Sequence, residues 1–130
     1  MALFYSAEPV CLTCSSVEGA KQWWIQTFGC KQAKVPSDWD ETLPSDVALT
    51  LPGEEEPAIL LSDRSEVEAR HLDRSDPKVP IIFTTKLSKA HDHLSARGVL
   101  AGPVQEDGET RFFEITDPEG KVLEICEEPQ

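Results

Sequence analysis

Arg111-Phe-Phe-Glu-Ile-Thr-Asp-Pro-Glu-Gly-Lys-Val-Leu-Glu-Ile-Cys126 is the stretch whose reading decides the fold. It reads as a strand, a tight turn and a second strand. In Asp117-Pro118-Glu119-Gly120, proline sets φ at the first corner and glycine takes a positive φ at the exit. The hairpin expected from this turn is a type I turn closed by a glycine bulge. That geometry pairs Asp117 with Lys121, Thr116 with Val122, Ile115 with Leu123, Glu114 with Glu124, Phe113 with Ile125 and Phe112 with Cys126. Side chains alternate along a strand, so one face carries Phe113, Ile115, Leu123 and Ile125 and is a packing surface. The other carries Phe112, Glu114, Thr116, Val122, Glu124 and Cys126. Without the bulge the pairing slips by one and Glu114 lands among the apolar residues, so the sequence favours the bulge.

Working outward, the chain reads as an imperfect duplication. Pro9-Val-Cys-Leu-Thr13 matches Pro80-Ile-Ile-Phe-Thr84. Each segment is followed by a helix-like run and then by Gly29 or Gly98. Each half closes on an apolar strand flanked by acids, 57–63 and 121–127. The first helix is expected from Ser16 to Phe28, capped by Ser15 or Ser16, with Val17, Ala20, Trp24 and Thr27/Phe28 on its apolar stripe. The second is expected from Ser88 to Arg97, with Leu87, Ala90 and Leu94 inward and Gly98 ending it. Strands are expected at 10–14, 30–35, 47–51, 58–62, 81–85, 100–105, 111–116 and 122–127. The order is βαβββ twice: one domain over 1–130, with a first unit at about 7–63, a linker at 64–78 and a second unit at about 79–128.

Composition narrows the function. The 130 residues are 39% hydrophobic and include three Trp, enough for a real core. Twenty-four acidic against twelve basic residues give a net charge of −12, which argues against nucleic acid as a partner. No apolar run approaches the roughly 20 residues a membrane helix needs, so no membrane partner is expected. The N-terminus lacks a signal pattern, and a cytoplasmic protein with reduced cysteines is the expectation. Cys11 and Cys14 lie three apart on a strand and point to opposite faces, which disfavours a shared metal or a disulfide. His91 and His93, two apart on a helix, diverge as well.

The closing hairpin resembles that of the glyoxalase, bleomycin-resistance and extradiol-dioxygenase superfamily, the vicinal oxygen chelate proteins. Their last hairpin commonly reads aromatic-x-x-Asp-Pro-x-Gly-x-x-x-Glu-hydrophobic, here Phe112 through Ile125, with the nearer aromatic, Phe113, four residues before Asp117 instead of three. Val17-Glu18 through Trp23-Trp24 to Phe28-Gly29 is similar to their first helix. The resemblance implies an α+β fold in which two βαβββ units pair into a concave, antiparallel-rich mixed sheet with helices outside and a ligand cup inside. It implies a homodimer too.

Metal-dependent members place ligands on the first, fourth, fifth and eighth strands. Carried over position by position, these fall on Pro9, Leu60, Pro80 and Glu124. Only Glu124 keeps a ligand, and a slip of register brings in Glu8 or Cys11 at one position at most. No metal and no cofactor are therefore expected. By strand parity the expected ligand-lining residues are Cys11, Thr13, Leu60, Ser62, Ile82, Thr84, Phe112, Glu114, Glu124 and Cys126. Glu114 opposite Glu124 is the one candidate for acid–base work, since facing carboxylates hold a proton more tightly than a free one. The expected function is metal-independent binding of a small molecule, as in the drug-sequestering branch. The alternatives are a metal-dependent lyase, isomerase or dioxygenase, and a fold retained as an interaction module.

Overall fold

In the computed structural model the described residues are 3–6, 9–39, 42–72 and 79–128. The chain divides into two compact units, Glu8–Lys78 and Met1–Ala7 with Val79–Gln130. Each is built on its own sheet.

In the N-terminal unit, Val10–Cys14 (β2) leads into the helix Val17–Phe28 (α1), followed by Lys31–Ala33 (β3), Val47–Thr50 (β4) and Ile59–Asp63 (β5). The sheet order is β2-β5-β4-β3, with β2 parallel to β5 and the other pairs antiparallel. Helix α1 starts where Ser16, in extended backbone, accepts a hydrogen bond from the Gly19 amide. It ends at Gly29, whose φ of 76° only glycine adopts without cost. Trp24 and Phe28 stack 4.8 Å apart and are buried, while Trp23 packs edge-on against both. Lys21 of α1 reaches Gln32, which shares a face with Leu49, Ile59 and Val10. That face, with Leu12 and Leu61, packs under the helix. A short helix, Arg64–Ala69 (α2), N-capped by Asp63, occupies the start of the expected linker; 73–78 lie outside the described residues.

The C-terminal unit repeats the plan with additions. Ile81–Thr84 (β6) leads into Leu87–Ala96 (α3), then Leu100–Ala101 (β7), Gln105–Asp107 (β8), Thr110–Thr116 (β9) and Val122–Glu127 (β10). An N-terminal strand, Phe4–Tyr5 (β1), pairs antiparallel with β6, giving the order β1-β6-β10-β9-β7 with β8 also on β9. The expected strand 100–105 is broken around Gly102-Pro103, because proline donates no ladder hydrogen bond. Leu87, Ala90 and Leu94 of α3 are buried, as are Ile82, Phe113, Ile115, Leu123 and Ile125 beneath it. No helix among the described residues is long and apolar enough to cross a membrane.

Candidate functional site

The turn at 117–120 sets the geometry of the C-terminal sheet. Gly120 donates to the Asp117 carbonyl at 3.0 Å, and Asp117 donates to the Lys121 carbonyl at 2.9 Å. The Asp117 carboxylate accepts from the amides of Glu119 and Lys121 at 2.9 and 2.8 Å. Gly120 has φ 84°, the left-handed value the bulge requires. The register that follows is the expected one, Thr116 with Val122 through Phe112 with Cys126.

Glu114 and Glu124 therefore sit directly opposite each other. The Glu124 amide donates outward to Pro80 at 2.9 Å, and the Glu114 carbonyl accepts from Gly102 at 2.8 Å. Neither turns its backbone to the other, so this is a non-hydrogen-bonded cross-strand pair, with Cα atoms about 4.5 Å apart and the closest side-chain approach a sheet allows. Burial, and then the charges of Glu114 and Asp107, push the Glu124 carboxyl above its ordinary range. Among the described residues, none of these three carboxylates forms a salt bridge; Arg111, on the helix face, pairs instead with Glu127 at 3.4 Å. Burial and Glu124 raise the Cys126 thiol to about 11, which makes it a poor nucleophile at neutral pH.

Parallel pairing of β6 with β10 decides which side of β6 shares this face. Ile81 lies opposite Glu124 and Phe83 opposite Cys126, whereas Ile82 lies opposite Ile125. Ile82 and Thr84, expected to line the site, instead belong to the helix face and are fully buried there. Thr84 Oγ1 accepts from the Lys86 amide where α3 begins. Pro9 and Pro80, which correspond in the duplication, are 71 residues apart. The helices start at Val17 and Leu87, an offset of 70, and one residue of slip exchanges the two faces of a strand.

In the N-terminal sheet the register places Cys11, Thr13, Leu60 and Ser62 together with Ala48 on the face away from α1. Leu60, Ser62 and Ala48 are buried and Cys11 is exposed. Cys14 is on the opposite face from Cys11, as alternation required.

The donor set does not fit a metal at the four positions the resemblance implies. Pro9 and Leu60 offer no side-chain ligand. Pro80 contributes a carbonyl already bonded to Glu124. Glu8 lies outside the described residues. Asp107, Glu114 and Glu124 share a face, but the described residues contain no group of three or more His, Cys, Asp or Glu able to hold a metal ion. Two histidines serve packing: His91 meets the Gly102 carbonyl at 3.0 Å and the Phe113 ring at 4.9 Å, and His93 packs on Phe4.

No family model and no curated protein matches the sequence. Solved structures do match in shape. A glyoxalase/bleomycin resistance protein/dioxygenase superfamily member from Sphaerobacter thermophilus DSM 20745 has a TM-score of 0.70 at 20% identity, over 95% of this chain and 97% of that one. The chain has the glyoxalase/bleomycin-resistance/dioxygenase fold. Two further structures with this fold are TioX from Micromonospora sp. ML1 and TnmS3 from Streptomyces sp. CB03234. TioX matches at TM-score 0.68 and 16% identity, over 96% and 98% of the two chains. TnmS3, an antibiotic-binding protein, matches at 0.67 and 18%, over 99% of each.

Tyr5, Ile81, Phe83 and Asp107 also lie on the carboxylate face and are not among the expected site residues. An offset taken from the helix starts would have exposed the two on β6. Tyr5 carries no comparable signal, since β1 is a two-residue strand outside the duplication.

Proposed function

We propose that this protein binds a small molecule without a metal, against the C-terminal sheet face that carries Phe112, Glu114, Glu124 and Cys126. The observation that carries the reading is the facing Glu114–Glu124 pair, held without a salt bridge beside aromatic side chains. Like charges directly opposed in a sheet destabilise it, and a cationic ligand would relieve that cost. The net charge of −12 and an antibiotic-binding protein of the same fold support a cationic or neutral ligand. Cys11 and Thr13 would offer a second, neutral ligand surface on the N-terminal sheet, with the buried Leu60 and Ser62 beside them. A cytoplasmic homodimer completes the proposal, and sedimentation at micromolar concentration checks the dimer.

The test is calorimetric titration of EDTA-treated protein with bleomycin and other cationic aromatic antibiotics, repeated after zinc or manganese is added back. Binding of equal strength with and without metal is the expected result. Binding that appears only with metal would sink the proposal. One observation favours a second reading, acid–base catalysis: Glu124 holds its proton above the ordinary range beside a second carboxylate. That reading requires the ligand to be recovered chemically changed; binding alone returns it intact.

A further inference from the structure

Beyond Gly102-Pro103 the chain forms a hairpin that buries neither of its faces. Its strands are β8 and the start of β9, joined by the turn Gly108-Glu109, with Gly108 at φ 67°. Every residue from Pro103 to Arg111 is exposed. A two-stranded hairpin without a buried face is held only weakly in place. Its root is held firmly. The Gly102 amide donates to the Glu114 carbonyl at 2.8 Å, and His91 Nε2 lies 3.0 Å from the Gly102 carbonyl. A carbonyl only accepts, so Nε2 carries the hydrogen, and Nδ1 is left to accept from Ser95 Oγ at 3.5 Å. The Phe113 ring packs edge-on against the imidazole at 4.9 Å. His91 therefore pins Gly102 to α3, and motion of the hairpin begins beyond it.

Register decides which way the hairpin faces. Gln105 lies opposite Phe112 and Asp107 opposite Thr110, so Asp107 shares the face of Glu114 and Glu124. On a flat sheet, Asp107 would stand four residues from Glu114 along the ladder and two strands from Glu124, roughly 17 Å between Cα atoms. Charges that far apart are screened, since the Debye length is about 8 Å at physiological salt. Yet after burial and Glu114, Asp107 is the next cause that holds the Glu124 carboxyl above its ordinary range. The hairpin therefore curls over the carboxylate face, as the strong twist of a two-stranded ribbon allows. It brings a third negative charge there. Facing these groups, β6 contributes only Ile81 and Phe83, β10 adds Cys126, and β9 contributes Glu114. Arg111 is turned to the other face, where it pairs with Glu127 at 3.4 Å.

We propose that residues 103–111 form a flap over the ligand face, hinged at Gly102-Pro103 and pinned there by His91, which closes when the Glu114–Glu124 pair is neutralised. Like charges hold it away, Asp107 from the flap and the two glutamates from the sheet. A cation at the pair, or the loss of one carboxylate, removes that repulsion. The twist of the ribbon then carries Asp107 toward the sheet. A bound cation is covered by the closed flap and leaves slowly. This rests on the ligand face proposed above and adds the control of access to it.

Amide exchange at pH 7 tests the flap without any ligand. Glu124→Gln should raise protection of the hairpin amides, 105–107 and 110–112, by about two- to fivefold. Asp107→Asn should do the same and bring the Glu124 pKa down toward its ordinary value. Amides of β4, in the other unit, should be unchanged in both variants, which separates closure from a general gain in stability. His91→Ala should lower protection at Gly102 and cancel the effect of Glu124→Gln, whereas His91→Gln, which keeps a donor, should restore it. An unmoved Glu124 pKa in Asp107→Asn overturns the placement of the flap. Unchanged hairpin protection in Glu124→Gln overturns its closure, and neither result depends on a His91 variant that folds. Proflavine, used as a cationic probe, separates this claim from the ligand face. Binding that leaves the hairpin amides unprotected overturns closure. A protein that binds no cation while its variants behave as stated loses the ligand face and keeps the flap.

Discussion

The two units share a plan and differ on one face. Beneath their helices they are alike: Leu12, Leu49, Ile59 and Leu61 lie under α1, and Ile82, Phe113, Ile115, Leu123 and Ile125 lie under α3. On the other face the N-terminal sheet presents Cys11, Thr13, Ala48, Leu60 and Ser62, all small or neutral. The C-terminal sheet presents Glu114 opposite Glu124 beside Tyr5, Phe83 and Phe112. Folding demands the first face equally of both copies, so it stays apolar in each. The second face differs: Ala48, Leu60 and Ser62 are buried on the N-terminal sheet, whereas charge and aromatic surface concentrate on the C-terminal one.

The helix-side likeness predicts the largest effects. Leu61→Ala and Leu123→Ala should each cost about 2–5 kcal/mol, because both side chains are wholly buried. Urea denaturation measures this, and a loss under 1 kcal/mol at either site would break the equivalence. Next, Gly120→Ala should cost about 1–2 kcal/mol, because its φ of 84° is strained for any side chain. The same variant should loosen the 114–124 register, seen as faster amide exchange at Gly102 and Glu124.

The smallest effect has the opposite sign. Glu124→Gln should stabilise the protein by about 0.2–1 kcal/mol at pH 7 by removing a like charge across the strand pair. The folded-state pKa of Glu124 is raised, so the native state holds its proton more tightly than the unfolded chain. The stability contributed by that proton is complete below the unfolded glutamate value of about 4.3 and fades as pH rises through the raised one. The advantage of glutamine should therefore vanish below about pH 4. Ser62→Ala, at the buried neutral face, should show no such pH dependence.

The closing hairpin was legible because one turn motif carries its own register, and alternation then sorts every side chain. Both helices were legible from stripe and cap residues: Ser16 caps α1, and Gly29 and Gly98 follow the two helices with positive φ. Less legible was the equivalence between copies. Matching Pro9 to Pro80 looked natural, yet prolines before a strand do not set its parity; the pairing of Ile82 with Ile125 does. Cys11 and Thr13 were placed on the expected face, and Ile82 and Thr84 were not, for that one residue of offset. The pairing of β1 with β6 was illegible, because a two-residue strand has no periodicity and its partner lies some 80 positions away.

The most direct test of the central claim, a metal-free ligand face on the C-terminal sheet, is an NMR titration of the glutamate side-chain carboxyl carbons in EDTA-treated protein as proflavine is added. The account predicts that Glu124 and Glu114 shift saturably, that Glu124 loses its elevated pKa in the complex, and that residues 11–13 and 60–62 move less. A Glu124 signal that does not respond, or responds only once a divalent metal is supplied, would contradict it.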